Sequence, residues 1–118
     1  MERDINFKQI FENAPDAVFL VVADGDDKGQ IVAANKAAEH MHGYEAGELK
    51  GKSISELDAP EDARHVPDRL RRFANGEVLR FEINHLHKDG SVFPVEVTAS
   101  RIRINGRPYV LAFDRDVT

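Results

Sequence analysis

The last third of the chain alternates between apolar and polar side chains, and a two-residue turn signal interrupts this alternation twice. From Leu79 to Ile83 every second residue is apolar, which predicts a half-buried strand. Asp89-Gly90 and Asn105-Gly106 suit tight hairpins, because such turns need residues that tolerate positive φ. These features predict three antiparallel strands joined by two hairpins, with the last strand running from Pro108 to Phe113.

Two strands and several short helices are predicted before these hairpins. The apolar run Ala17–Ala23 and the segment Gln30–Ala34 have the composition of strands, and Asn35 is placed to cap a helix that Gly43 ends. Ser53-Ile54-Ser55-Glu56 has the spacing of a capping box, which begins another helix. This order predicts an α+β fold, with a five-stranded antiparallel sheet and helices packed on one face.

The composition is that of one folded domain covering residues 1–118. Lys and Arg number 16 against 21 Asp and Glu, and this net charge of -5 argues against a nucleic-acid partner. The chain contains no Cys, which excludes thiolate metal sites and a cysteine nucleophile. The longest apolar run, Ala17–Ala23, is too short to cross a bilayer, and a signal-peptide pattern is absent. We therefore expect a cytoplasmic protein without direct membrane insertion.

An amphipathic helix is predicted over residues 4–14, flanking the domain. Phe7, Ile10 and Phe11 form one apolar stripe at helical spacing. This stripe either covers the domain's own sheet or pairs with the same helix of a second copy.

Four short motifs follow one another along the chain. The first motif, Ile31–Ala38, joins a strand to an Asn-capped helix. The second consists of Gly43-Tyr44 followed by Glu48–Ser53. The third is the turn Lys88–Ser91, and the fourth is the Arg-Asp-Val-Thr sequence at Arg115–Thr118. In this order and spacing they resemble a PAS domain with its C-terminal PAC segment, over essentially the whole chain. The resemblance implies a sensory or regulatory domain within a larger signalling protein.

The resemblance also implies how such a domain works. It would have no catalytic activity of its own, and it would be attached covalently to an output domain such as a histidine kinase or a diguanylate cyclase. The flanking helix commonly serves dimerisation in the family, so a homodimer is expected. The residues implied in relaying the signal are Asp114, Arg115, Asp116 and Thr118. Asp114 stands where the family usually has an apolar residue, so its charge is expected to solvate the strand end or to pair with a partner chain.

A pocket for a small organic ligand is expected between the inward face of the sheet and the helices. The alternative is a ligandless interaction module, in which the same side chains form a closed core. The candidate lining residues are Met41, Leu57, Leu70, Phe73, Phe81, Ile83, His85, Val95, Val97, Leu111 and Phe113.

Cofactor hypotheses rest on the histidines. His65 lies in a stretch similar to the helix that supplies the haem ligand of FixL-type oxygen sensors, but the apolar face of its helix starts one residue later, at Val66. His85 and His87 share one face of a strand, but the sequence places no carboxylate or third His beside them, so no metal site is expected. A light sensor that forms a covalent flavin adduct needs a Cys, and this chain has none. Among flavin hypotheses, only non-covalent binding therefore remains.

Overall fold

The computed structural model describes residues 5–118. Five antiparallel strands form one sheet in the order β2-β1-β5-β4-β3. The strands are β1 (Ala17–Val22), β2 (Ile31–Ala34), β3 (Leu79–Leu86), β4 (Val92–Ile104) and β5 (Arg107–Asp116). The predicted five-stranded antiparallel α+β fold is confirmed.

The helices are short and lie mostly between β2 and β3. They are α1 (Phe7–Asn13), α2 (Lys36–His42), a 3-10 turn (Ile54–Glu56), α3 (Pro60–Ala63) and α4 (Val66–Ala74). The predicted caps are present: Asn35 caps α2 through its side chain, and Ser53 with Glu56 forms a capping box. Within residues 5–118, no helix is long and apolar enough to cross a membrane.

The flanking helix is shorter than predicted. It begins at Phe7, because the side chain of Asn6 accepts hydrogen bonds from the backbone of Lys8 and Gln9 and so caps the first turn. Residue 4, the first position of the predicted helix, lies outside the described residues.

The core lies between the inner face of the sheet and helices α2 and α4. Inward residues of β1, β3, β4 and β5 pack there with Leu70 and Phe73 of α4. In an antiparallel pair, residues directly opposite each other share a face. Phe19 lies opposite Ala112 and Val21 opposite Val110, so this register determines which side of β5 enters the core.

The prediction that Leu111 and Phe113 form the inward face of β5 was wrong. Val110, Ala112 and Asp114 point into the core, whereas Leu111 is half-buried and Phe113 is 44% exposed on the other face. Residues 109–113 are apolar at both parities, so their alternation does not distinguish the two faces.

Strand β5 also continues past Phe113 to Asp116. It does so because its last residues pair with β4, with Val97 opposite Asp114 and Val95 opposite Asp116. The end of the chain that the family resemblance associates with relay is therefore hydrogen-bonded into the sheet.

Candidate functional site

A cavity of about 60 Å³ lies between α4 and the inner face of the sheet. Six of the predicted pocket residues line it: Leu70, Phe73, Phe81, Ile83, His85 and Val97. The remaining lining residues are Phe19, Val21, Ile54, Asp58, Val66, Arg69, Ala99, Val110, Ala112 and Asp114. Most of this wall is aliphatic or aromatic, so the cavity is apolar with one polar end.

Five predicted pocket residues do not line the cavity. Leu57 and Val95 are fully buried in the core, and Met41 packs against it while remaining half-buried. Leu111 and Phe113 belong to the opposite face of the sheet, as described above.

The polar end of the cavity is built around His85, which points inward from β3 and is 2% exposed. Its Nε2 lies 3.2 Å from Oδ1 of Asp58, and Oδ2 of Asp58 lies 3.1 Å from Nη1 of Arg69. Its Nδ1 lies 3.7 Å from Oδ2 of Asp114. Two carboxylates, one guanidinium and an imidazole are thus gathered at one end of an otherwise apolar space.

Backbone pairing explains why Asp58 reaches His85. The segment 57–59 runs beside the outer edge of β3, where the Leu86 nitrogen donates to the Leu57 oxygen at 2.7 Å and the Ala59 nitrogen donates to the Asn84 oxygen at 2.8 Å. This pairing covers the edge of the sheet and turns Asp58 toward the core.

A second histidine, His42, completes the cluster from the last turn of α2. Its Nε2 lies 2.8 Å from Nδ1 of His85, and its Nδ1 lies 2.8 Å from the Ala38 carbonyl oxygen. The carbonyl oxygen of His42 also accepts a hydrogen bond from the Lys88 nitrogen at 2.8 Å, which holds the end of α2 beside the end of β3.

His42 was missed as a site residue, because its partner is distant in sequence. Two signals could have placed it inward: it follows Ala38 by four residues, on the same helical face, and it directly precedes the helix-ending Gly43. Neither signal identifies His85 as its neighbour.

Burial changes the protonation of two members of the cluster. Removal from water lowers the pKa of His42 to about 4, and the nearby His85 acts in the same direction. Burial also raises the pKa of Asp114 to about 7, with His85 opposing the rise. His42 is therefore a neutral imidazole at neutral pH, and its Nδ1 must carry the hydrogen because a carbonyl oxygen only accepts.

The expected roles for the charge of Asp114 were wrong. The residue is 3% exposed and faces the core between Ala17 of β1 and Val97 of β4, so it neither solvates the strand end nor offers its charge at the surface. Asp114 is buried because of the register in which β5 pairs with β1, and this register cannot be read from the sequence.

The other residues predicted to relay the signal lie at the surface. Arg115 pairs with Glu96 at 3.2 Å, and Asp116 accepts a hydrogen bond from the Thr118 nitrogen at 2.9 Å. The Val117 nitrogen donates to the Pro94 oxygen at 3.1 Å, so the chain end stays attached to β4.

The other two histidines considered from the sequence, His65 and His87, stand apart from the cavity. His65 is exposed at the start of α4 and does not line the cavity. His87 lies beyond the end of β3, where its ring covers Gly43 and its Nδ1 accepts from the Asp89 nitrogen at 3.2 Å.

The apolar stripe of α1 is largely uncovered. Phe7 is 75% exposed and Ile10 is 57% exposed, while Phe11 is half-buried. Helix α1 packs beside α2, and Phe7 and Ile10 remain mostly exposed there.

Comparison with known proteins agrees with this architecture. A family profile described as "PAS domain" matches residues 15–118. The chain is 26% identical over 98% of its length to the sensor protein FixL of Bradyrhizobium diazoefficiens, of which it covers 23%. It is 36% identical over 72 residues, 61% of its length, to the cell-division control histidine kinase PdhS of Brucella ovis, of which it covers 7%.

A solved structure is similar over nearly the whole chain. It is the PAS domain of an HTR-like protein from Haloarcula marismortui, 34% identical with a TM-score of 0.82, covering 94% of this chain and 88% of that one. By contrast, the chain spans less than a quarter of the length of the first curated relatives that it matches.

Proposed function

The chain belongs to the PAS domain family, and we propose that it is the sensory domain of a larger signalling protein, one that binds a small ligand in its core and relays binding to an output domain. A histidine kinase is the first candidate for that output, because PdhS is a histidine kinase by name; a diguanylate cyclase is the second. We also propose that the domain lies in the cytoplasm.

One observation carries this proposal. Asp114 lines the cavity and directly precedes Arg115, so a single strand connects the polar end of the cavity to the end of the chain. A ligand that contacts Asp114 or His85 would favour one arrangement of these side chains over another. The shift in population would then reach the exposed residues that follow Asp114 in β5.

The size of the cavity narrows the class of ligand. Pockets for drug-sized molecules measure roughly 300–1,000 Å³, whereas this cavity measures about 60 Å³. A ligand of a few heavy atoms fits without movement of α4. Haem or non-covalent flavin would need the core to open, so neither is part of the proposal.

Native mass spectrometry of freshly purified protein tests for a bound ligand and reports the number of subunits. Hydrogen exchange should then differ at residues 114–118 between the ligand-bound protein and the same protein stripped of ligand. Ala112→Leu, which fills the cavity from β5, should abolish both the bound mass and the exchange difference. Ala46→Leu at an exposed site is the matched control and should change neither.

A second candidate function is a ligandless dimerisation module, and the exposed stripe of α1 favours it. Phe7 and Ile10 present apolar surface that pairing with a second copy would bury. A homodimer whose mass shows no ligand, and whose exchange is unaffected by Ala112→Leu, would support this candidate over ligand sensing.

A further inference from the structure

The contact between His42 and His85 depends on which ring nitrogens carry the hydrogens. Nδ1 of His42 donates to the Ala38 oxygen, and Nε2 of His85 faces the Asp58 carboxylate, which is ion-paired with Arg69. With a hydrogen on each of these outer nitrogens, the two inner nitrogens present lone pairs to each other across 2.8 Å. In this arrangement the two lone pairs repel unless a cation lies between them, whereas a hydrogen on Nδ1 of His85 would make the contact an ordinary hydrogen bond.

We propose that His42, His85 and Asp114 form a binding site for a divalent transition-metal ion, with Zn²⁺ as the best match. The three ligand atoms lie within 4.8 Å of one another, and all three side chains are buried. Two imidazole nitrogens and one carboxylate oxygen are the donor set that Zn²⁺ uses in open sites, with a fourth position left for another ligand.

The distances require a small adjustment. Bonds of about 2.0–2.1 Å in a tetrahedral arrangement place neighbouring ligand atoms roughly 3.3 Å apart. The two imidazole nitrogens are closer than this, at 2.8 Å, and the His85 nitrogen lies 3.7 Å from the Asp114 oxygen. The three ligand atoms lie up to 4.8 Å apart, so the His85 ring and the Asp114 carboxyl group, which both line the adjacent cavity, would have to rotate to bring the separations closer to the tetrahedral value.

Both histidines are already oriented as metal ligands are. A ligating His almost always donates its other ring nitrogen to a carbonyl or a carboxylate, which holds the ring in place and makes the ligating nitrogen more basic. The Ala38 carbonyl is hydrogen-bonded to His42, and the Asp58 carboxylate lies 3.2 Å from Nε2 of His85. Arg69 in turn holds Asp58.

The metal site would also specify what the proposed sensory domain detects. His85 and Asp114 line the cavity, so the fourth position of the ion would face the space in which a small ligand was proposed to bind. The sensed species would be the ion itself or a small donor bound to it. Only this relay step rests on the proposed function, because ion binding depends on the cluster geometry alone.

Cobalt absorption on chelator-treated protein tests the site directly. Co²⁺ should bind in one equivalent and give visible bands of four-coordinate intensity, and Zn²⁺ should displace it. His42→Gln and His85→Gln should each weaken Zn²⁺ binding, measured by calorimetry, by more than about 100-fold, and Asp58→Asn by about 10–100-fold. His40→Gln and His65→Gln, at exposed positions, should leave the affinity unchanged.

Two results would overturn the site. If Co²⁺ gives no such bands with the unaltered protein, the two imidazoles share a proton and no metal. If His40→Gln or His65→Gln weakens binding while His42→Gln does not, the ion binds at the surface. The spectrum of the unaltered protein decides the first point, so a variant that fails to fold, as judged by circular dichroism, leaves the test intact.

Hydrogen exchange distinguishes two outcomes, namely that the cluster binds no metal or that binding is not relayed to residues 114–118. Zn²⁺ that binds at the cluster without changing exchange at residues 114–118 would confirm the metal site and contradict the relay. A purified ligand that changes exchange there, in protein that binds no metal, would support sensing and remove the metal site.

Discussion

The side-chain oxygen of Asn35 accepts a hydrogen bond from the backbone nitrogen of Val18 at 2.9 Å, which joins the start of α2 to β1. The same oxygen accepts from the Ala38 nitrogen at 3.0 Å as the helix cap. The amide nitrogen donates to the carbonyl oxygens of Phe11 and Asp16, at 3.0 and 2.9 Å. One fully buried side chain therefore uses both donors and two acceptor positions to tie three segments together.

Asn35→Ala should lower the free energy of unfolding by about 2–4 kcal/mol, because it removes a helix cap and leaves several backbone groups without partners. Denaturant unfolding at constant m-value measures the loss. Asn13→Ala is the control, since Asn13 makes an exposed bond to the Gln9 oxygen, and it should have little effect. Equal losses for the two variants would contradict a structural role for Asn35.

Gly43→Ala should be more damaging than Gly47→Ala. Both glycines have φ near the same value, 80° and 82°, so the backbone penalty of about 1–2 kcal/mol is shared. A Cβ at Gly43 would overlap the His87 ring, whereas at Gly47 it would have no neighbour within 4 Å among the described residues. Thermal unfolding of the two variants should show the difference.

The double variant Gly43→Ala/His87→Ala isolates the cause of that difference. Removing the ring should bring the cost of Gly43→Ala down to that of Gly47→Ala, relative to His87→Ala alone. If the larger cost persists without the ring, the clash is not its origin.

Arg69→Met should destabilise the domain by about 3–5 kcal/mol, because it leaves the Asp58 carboxylate buried without its charged partner. Asp58 is 3% exposed, and the Arg69 guanidinium also lies over the Phe81 ring at 4.6 Å. Arg71→Met on the same helix removes the exposed pair with Asp68 and should change stability by less than about 1 kcal/mol. Similar chemical-denaturation midpoints for the two variants would refute this prediction.

Phe7→Ser with Ile10→Ser should shift a homodimer toward monomer while leaving the unfolding transition of the monomer nearly unchanged. Both side chains are mostly exposed in the single chain, so their replacement removes little intramolecular burial. Sedimentation velocity measures the shift. Val78→Ser, at another exposed apolar residue away from α1, should leave the association state as it is.

Addition of haemin should give no Soret band that depends on His65. The side chain of His65 is exposed and does not reach the cavity, so it cannot place an axial ligand inside the core. Absorption spectra of the protein and of His65→Ala should coincide after reconstitution. A band that disappears in His65→Ala would restore the haem hypothesis.

Much of the fold could be predicted because its signals are local. Asn105 and Gly106 have φ of 52° and 80°, as the predicted two-residue turn of the second hairpin requires. The first hairpin turns at the predicted position but has a longer loop, over residues 87–91, in which Gly90 has a positive φ of 91° and Asp89 does not. The caps at Asn35 and Ser53 depend on residues within three positions, so they too are visible in the sequence. Most of the predicted pocket residues on β3, β4 and α4 line the cavity for the same reason, since each element has one clearly apolar face.

By itself the sequence determined the turns, the caps and the apolar faces of β3, β4 and α4, because each depends on neighbours along the chain. Only the tertiary structure decided which side of β5 is inward, since Tyr109 to Phe113 is apolar on both sides and the choice follows from pairing with β1. That register buries Asp114, and the docking of α2 beside β3 brings His42 within 2.8 Å of His85 across 43 residues of chain. Contacts of this kind arise from the packing of separate elements, so no local pattern encodes them.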